Sequence, residues 1–475
     1  MVFSSAVFLF FFLPVVLACY HASPRRFRNT VLLAFSMFFY IWGAGAFVVA
    51  LIGSMAVNYL VGLRVEQAMD AERVPQARRW LAVGVIVNVG LLAWFKYANF
   101  AVASGNGFAD ALGIPPMPWA AIILPIGISF FTFHALSYLV DIYRGTARHL
   151  VAPVDFALYI AFFPQLIAGP IVRFHEIRDQ LVTRRETADA FAAGVYRFSL
   201  GLGKKVLVAD VVAPLADMVF ATQPTSLNTT TAALGLVAYA IQLYFDFSGY
   251  SDMALGLGLM FGIRLPENFD RPYASRSVTE FWRRWHMSLS RWFRDYLYIP
   301  LGGNRGSARS TYRNLIIVFL VTGLWHGAAW TFVVWGAYHG MLLLLERVVG
   351  VGRGGKFDRS WWWQPITVGL VLVGWILFRS PNLSYAFHFG LALLHPSLSI
   401  PGEIRLLINP LLVAAMAVGL GSVLLPASWV TGVQVLNAAP LRNRALRLAC
   451  AGVLLPAAVI LVVASGFSPF LYFQF

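Results

Sequence analysis

The stretch "GLWHGAAW", Gly323 to Trp330, lies between two apolar segments, Leu315 to Val321 and Thr331 to Leu345. Arginine-rich sequence at 264–313 and 347–360 brackets the whole run. A chain that leaves one basic loop and enters another through apolar residues must double back in between. If the first arm is helical from Asn314, the dozen residues to His326 rise roughly 18 Å at ~1.5 Å per residue. His326 then falls well inside a bilayer span, near the turn of a hairpin. An ionisable group is costly at that depth, so the reading of this stretch decides both the fold class and the site.

The rest of the chain supports the membrane reading. Of 475 residues, 59% are hydrophobic and only 12% charged, about half the charged share of a soluble protein, usually ~25%. Apolar runs long enough for a ~30 Å hydrocarbon core recur from end to end. The expectation is an all-α polytopic membrane protein, a helical bundle of roughly nine to eleven crossings with re-entrant segments. It reads as a single integral membrane domain over 1–475, with its core at about 120–350 and further helices in 361–475.

The net charge of +15 does not point to nucleic acid. All but three of the 36 lysines and arginines (Lys96, Arg379 and Arg405) fall in short loops at 21–29, 64–79, 144–153, 173–186, 197–205, 264–313, 347–360 and 441–447. Charge-poor loops at 103–119 and 223–231 face the other way. By the positive-inside rule the basic loops are cytoplasmic, and both termini face outside. Cys19 and Cys450 stand at opposite ends of the chain, with no spacing for a metal site. "MVFSSAVFLFFFLPVVLACY" lacks a basic lead and reads as a retained membrane segment.

Two segments do not suit simple crossings. Residues 30–63 must cross and return, with a turn near "WGAGAF" (42–47). Residues 154–172, interrupted by Pro164 and Gly169-Pro170, are too short for two crossings and predict a bent or re-entrant piece buried in protein. No internal repeat is evident, which counts against a transporter built from repeated halves.

Polar residues inside apolar segments are the candidate functional groups. His21, His149 and His175 lie in basic loops and read as solvated, and His388 and His395 as surface residues. His134 and His339 read as structural hydrogen-bonding residues. His286 lies in "TEFWRRWHMSLSRWFRDYLYIPLGGNRG" (279–306), where Phe281, Trp282, Trp285, Trp292 and Phe293 alternate with arginines. That composition suits an in-plane helix at the membrane surface. "QLYFDFSGYSDMALGLG" (242–258) carries Asp246, Tyr250 and Asp252. The preferred reading of both acids is structural, paired with arginines of 276–294.

These motifs resemble the membrane-bound O-acyltransferase family, most closely its bacterial alginate O-acetylation branch. The resemblance rests on "LPIGISFFTFHALSYLVDIYRG" (124–145), "FFPQLIAGPIVRF" (162–174), "YFDFSGYSDMALGLGLMFG" (244–262), "NFDRPYASRSVTEFWRRWHMSLSRWFRDYLYIPLGGNRG" (268–306) and "YRNLIIVFLVTGLWHGAAWTFVVWGAYHG" (312–340). It implies a bundle around a central tunnel, a catalytic histidine at His326 and a second polar residue at His286. Trp325, Asp246, Tyr250, Arg283, Arg284 and Trp285 become the expected tunnel-lining or supporting residues. No bound cofactor or metal is implied, and acetyl-CoA is the expected acyl donor.

The chemistry suits that assignment. Moving an acyl group from a thioester to a hydroxyl requires a base for the hydroxyl proton. Imidazole serves only when neutral, the form an apolar environment favours. Trp325 and Trp330 can exclude water, while Gly323, Gly327, Ala328 and Ala329 permit close approach. The expected function is acetyl transfer from a cytoplasmic donor, through the bacterial inner membrane, for O-acetylation of an exported polysaccharide. Alginate leads; cellulose, peptidoglycan or D-alanyl transfer to teichoic acid are alternatives on the same fold. Periplasmic acetyltransferase or acetyl-carrier proteins are the expected partners. A proton-coupled transporter using His326, His286 and Asp246 is the reading from a different class.

Overall fold

The computed structural model describes residues 1–351, 360–424, 444–465 and 470. Most of the loop expected at 347–360, part of that at 441–447 and most of the C-terminal stretch 465–475 lie outside the described residues. All regular structure among the described residues is helical. Five apolar stretches there are long enough to cross a membrane: Arg25–Asp70, Val74–Ala111, Thr229–Met260, Trp330–Val349 and Arg447–Ala464. Shorter apolar helices occur at Phe8–Ala22, Ile128–Tyr143, Trp363–Arg379 and Pro410–Ser422. The chain is a multi-pass membrane protein, organised as two compact units.

The first unit holds Ala6–Phe191 and Gly258–Pro266. After α1 (Leu13–Ala22), α2 (Arg28–Ala44) ends at Gly45, whose φ of 54° is a conformation that glycine adopts without strain. The chain then returns as α3 (Val48–Asp70), the hairpin expected around 42–47. α4 (Val74–Ala111) runs for 38 residues, roughly 57 Å at ~1.5 Å per residue. α3 and α4 are joined at depth by Asn58 and Asn88, which exchange hydrogen bonds of 3.2 and 2.7 Å. Two buried amides satisfy each other there, the usual polar link between membrane helices.

α5 (Ile128–Tyr143) is followed by the broken segment α6 (Pro153–Ala161) and α7 (Phe163–Leu166), interrupted at Phe162. Residues 160–172 are all buried, so the bent, non-helical backbone expected at 154–172 is enclosed by protein, as it must be. α8 (Phe174–Val182) completes the unit. Two histidines expected to be solvated are instead anchored here. His149 is buried and hydrogen-bonded to Tyr138. His175 Nδ1 lies 2.8 Å from Asp141 Oδ2, and that hydrogen bond raises its pKa above the ordinary histidine value.

The second unit holds Val2–Ser5, Ala192–Leu257 and Glu267–Phe475. Its first feature corrects the sequence reading. Residues 197–205 are not a loop. α9 (Ala188–Gly203) continues through a π-helical turn, Lys204–Ala209, into α10 (Asp210–Ala221). The basic residues there are neutralised by acids inside the protein. Arg197 binds Asp252 and Glu267, Lys204 binds Asp252, and Lys205 binds both Asp210 and Asp246, at 2.5–2.7 Å. Asp246 and Asp252 lie on α11 (Thr229–Met260), so both acids are structural as expected, but their partners come from 197–205 and not from 276–294.

The segment expected to lie in the membrane surface is also different. α12 (Val278–Arg284) and α13 (Met287–Phe293) are two short helices broken at Trp285-His286. Phe281, Trp282, Trp285, Trp292 and Phe293 are all buried. Their indoles and rings fill the protein interior, where burying each large aromatic surface is most favourable. Glu346 fixes this segment by accepting from the Val278 and Thr279 backbone N–H groups at 2.5 and 2.8 Å.

α14 (Ala308–His326) and α15 (Trp330–Val349) form the hairpin that the opening stretch predicts, with His326 as the last residue of its first arm. The arms touch at Gly323 and Gly336, where a side chain on Gly323 would run into the Phe332 carbonyl oxygen and Gly336 Cα. Gly323→Val is expected to destabilise the hairpin by about 1–3 kcal/mol or more. Fluorescence-detected size exclusion should show most of the variant lost from the monodisperse peak. α16 (Trp363–Arg379), α17 (Leu383–Ala392), α18 (Gly402–Leu407), α19 (Pro410–Leu424) and α20 (Arg444–Ser465) follow.

Candidate active site

The helix break at Trp285-His286 and the hairpin turn after His326 bring two histidines into one aromatic cluster. The His326 ring, 6% exposed, packs against Trp325, Trp335 and Phe378, with centroid distances of 4.7, 5.2 and 5.2 Å. His286 is fully buried and lies 5.9 Å from Trp325. Both imidazoles therefore pack against Trp325. His286 adopts φ 44°, a left-handed conformation rare for a side chain of this size and costing of order 1–3 kcal/mol. That turn of the backbone carries its ring inward, against Phe247 at 4.8 Å.

A hydrogen-bonded frame holds His286. Asn268, also buried, accepts at Oδ1 from the Ser288 backbone N–H and from Ser288 Oγ. The same oxygen is 3.1 Å from His286 Nδ1. Asn268 Nδ2 donates to Ser251 Oγ at 3.0 Å, and its carbonyl accepts from Met287 N at 2.9 Å. His286 Nε2 has no hydrogen-bond partner among the described residues. Burial pushes the His286 pKa down to about 3, so this imidazole is neutral throughout the physiological range.

A cavity of about 640 Å³ opens beside the cluster. Its inner wall includes Trp282, Phe319 and Thr322, the last one helical turn before His326; Arg283, Arg291, Arg294 and Arg347 also line it. Apolar and cationic groups thus share one space, as a ligand with an anionic end and an uncharged arm would require.

The other expected residues divide. Trp325 is central to the cluster, and Trp285 supports it by packing on Phe269, Phe281 and Trp375. Arg283 lines the cavity. Arg284 instead bonds Glu280 and the Asp270 carbonyl. Asp246 is engaged by Lys205, and Tyr250 by the rings of Phe3 and Phe470. His339, expected to make hydrogen bonds, is buried against Trp335 and Trp282, and neither ring nitrogen has a partner among the described residues. Sequence reasoning missed Asn268, Trp335 and Phe378. Asn268 lies 18 residues before His286, across a loop whose path no periodicity predicts.

A buried histidine pair in an aromatic cage thus lies next to a cavity with four arginines, and the family comparison decides which family the chain belongs to. Residues 121–387 match the model of MBOAT, the membrane-bound O-acyltransferase family. The chain belongs to this family. It is a membrane O-acyltransferase. It is 52% identical over 389 residues to the probable alginate O-acetylase AlgI of Pseudomonas aeruginosa, covering 82% of this chain and 74% of that one. The probable alginate O-acetylase AlgI of Azotobacter vinelandii is 45% identical, with both chains fully covered. A peptidoglycan O-acetyltransferase of Helicobacter pylori is 39% identical over 81% of this chain and 78% of its own. In this membrane-bound O-acyltransferase the family match encloses both histidines and the cavity-lining residues.

Proposed function

We propose that the protein takes acetyl groups from a cytoplasmic thioester, acetyl-CoA, and passes them across the inner membrane for O-acetylation of exported alginate. The observation that carries the reading is the packing of His326 and His286 against one indole, Trp325, beside a cavity lined by four arginines. The likeness to proteins named for alginate O-acetylation supports the choice of polymer. Both termini face the periplasm, and periplasmic acetyltransferase or acetyl-carrier proteins complete the transfer to the polymer.

In this reading the arginines hold the donor's phosphates and the thioester reaches the histidines. The acceptor oxygen attacks the thioester carbonyl carbon, forming the C–O bond. His326 removes the hydroxyl proton as that bond forms. The C–S bond then breaks, and the proton passes to the departing sulfur. Trp325 and Trp335 keep bulk water from competing for the acyl group.

Expression in an alginate-producing strain lacking its own membrane acetylase tests the proposal. Restored acetyl content of the secreted alginate is the expected result. Unacetylated alginate together with newly acetylated peptidoglycan would transfer the assignment to the wall polymer. The donor is tested separately in membrane vesicles. Replacing Arg294 and Arg347 by alanine should raise the KM for acetyl-CoA by roughly a hundredfold or more, since each lost charge-assisted contact to a phosphate is worth about 1.5–3 kcal/mol, with little change in kcat. An unaltered KM would remove the arginines from donor binding.

A further inference from the structure

We propose that Asn268 is a positioning residue that locks His286 in the Nδ1–H tautomer and so presents a bare Nε2 to a donor group of the bound substrates other than the hydroxyl that His326 deprotonates. The inference rests on the reading of His286 as part of the acyl-transfer site, and it assigns that residue a defined role.

The tautomer follows from the donors around one oxygen. The Ser288 backbone N–H can only donate, so the Asn268 atom it meets at 3.2 Å must be the carbonyl oxygen Oδ1. The opposite orientation of the amide would set two N–H groups against each other. With Oδ1 fixed, Nδ2 is free to donate to Ser251 Oγ, which it does at 3.0 Å. His286 Nδ1 lies 3.1 Å from that same oxygen, and two acceptors cannot share such a contact. Nδ1 therefore carries the proton, and Nε2 keeps its lone pair. The second nitrogen is buried without a partner among the described residues.

A buried acceptor without a donor is unfavourable in a resting core. It becomes favourable when a substrate N–H or second O–H arrives, because neutral Nε2 can only accept. His286 would thus orient the substrate through that second donor, leaving the reacting O–H to His326, and Asn268 would act through His286. The strained backbone at His286, φ 44°, is consistent with a ring held for function and not for packing alone.

Several charged groups around this frame are engaged with partners of their own. On α11, Asp246 is paired with Lys205, and Asp252 with Arg197 and Lys204. Between α11 and α12, Glu267 binds Arg197 and the Asp270 backbone N–H bonds the Arg284 carbonyl. On α13, Arg291 donates to the Glu267 carbonyl. On α14, His326 packs against Trp325, which also meets His286. On its own element, Arg284 binds Glu280.

Asn268→Asp is the decisive variant, because a carboxylate is nearly isosteric and can remake each bond. Ser288 and His286 would still donate to one oxygen, and Ser251 would donate to the other. The change is a negative charge beside His286, which raises the imidazole pKa. Below its folded pKa the ring is protonated at both nitrogens and has no lone pair to offer.

Full-length protein labelled with ¹⁵N-histidine in nanodiscs, assigned against His286→Gln, reads both states directly. The wild type should show a protonated Nδ1 and an unprotonated Nε2, unchanged between pH 5 and 8. Asn268→Asp should bring His286 protonation into that range, with transfer from acetyl-CoA falling on the acid side. An Nε2–H tautomer or a mixture in the wild type overturns the proposal, whatever the variant does. So does an Asn268→Asp protein whose His286 remains neutral to pH 5. Full transfer activity in His286→Gln would instead overturn the reading of the site, leaving the tautomer lock as a structural feature.

Discussion

Replacement of His326 by alanine is expected to lower acyl transfer by roughly 10²- to 10⁴-fold, the usual contribution of a positioned general base. The protein should remain in the membrane in normal amount. His326 ends α14, so its side chain terminates the first arm of the hairpin and does not hold the arms together. That task falls to the Gly323–Gly336 contact. Truncation removes ring packing against Trp325, Trp335 and Phe378, but Trp335 and Phe378 also pack on each other and on Trp375. The measurement is the acetyl content of secreted polymer beside an immunoblot of the membrane fraction. Wild-type acetylation with the variant present would end the assignment of His326 as base. Loss of both acetylation and protein would mark the residue as structural.

The hairpin with His326 at its turn was legible because the information is local. Basic loops bracket one apolar run, and the run is the right length for a hairpin. The break in 154–172 was legible for a similar reason, since Pro164 and Gly169-Pro170 interrupt the helix within the segment itself. The misread elements depend on partners distant in sequence. Arg197, Lys204 and Lys205 count as topology signals until Asp246 and Asp252 are seen beside them. Trp282 and Trp285 read as membrane-surface residues because alternation with arginine looks the same on either kind of helix. Asn268 bears on His286 through a loop closure that leaves no trace in spacing. The pattern of charge and hydropathy thus gave the scaffold, whereas the frame around the site is set by tertiary contacts.

The largest effect on stability is expected from Asp252→Ala. Asp252 accepts from Arg197 at 2.5 Å and from Lys204 at 2.7 Å, and the three side chains are 6–14% exposed. Removing the acid leaves Arg197 with Glu267 and Lys204 with no acid partner among the described residues. Breaking a buried pair in this way costs about 3–5 kcal/mol, because the remaining charge has lost both its hydration and its counterion. The comparison that isolates burial is Asp70→Ala. Asp70 meets Arg148 at 3.1 Å, but the two side chains are 55% and 69% exposed. Such exposed pairs contribute only about 0–1 kcal/mol. Thermal unfolding followed by fluorescence-detected size exclusion should therefore show a large drop for Asp252→Ala and almost none for Asp70→Ala. Equal midpoints would mean that water reaches the Asp252 cluster, and Arg197 and Lys204 would then return to being the loop-type topology signals that their sequence positions suggest.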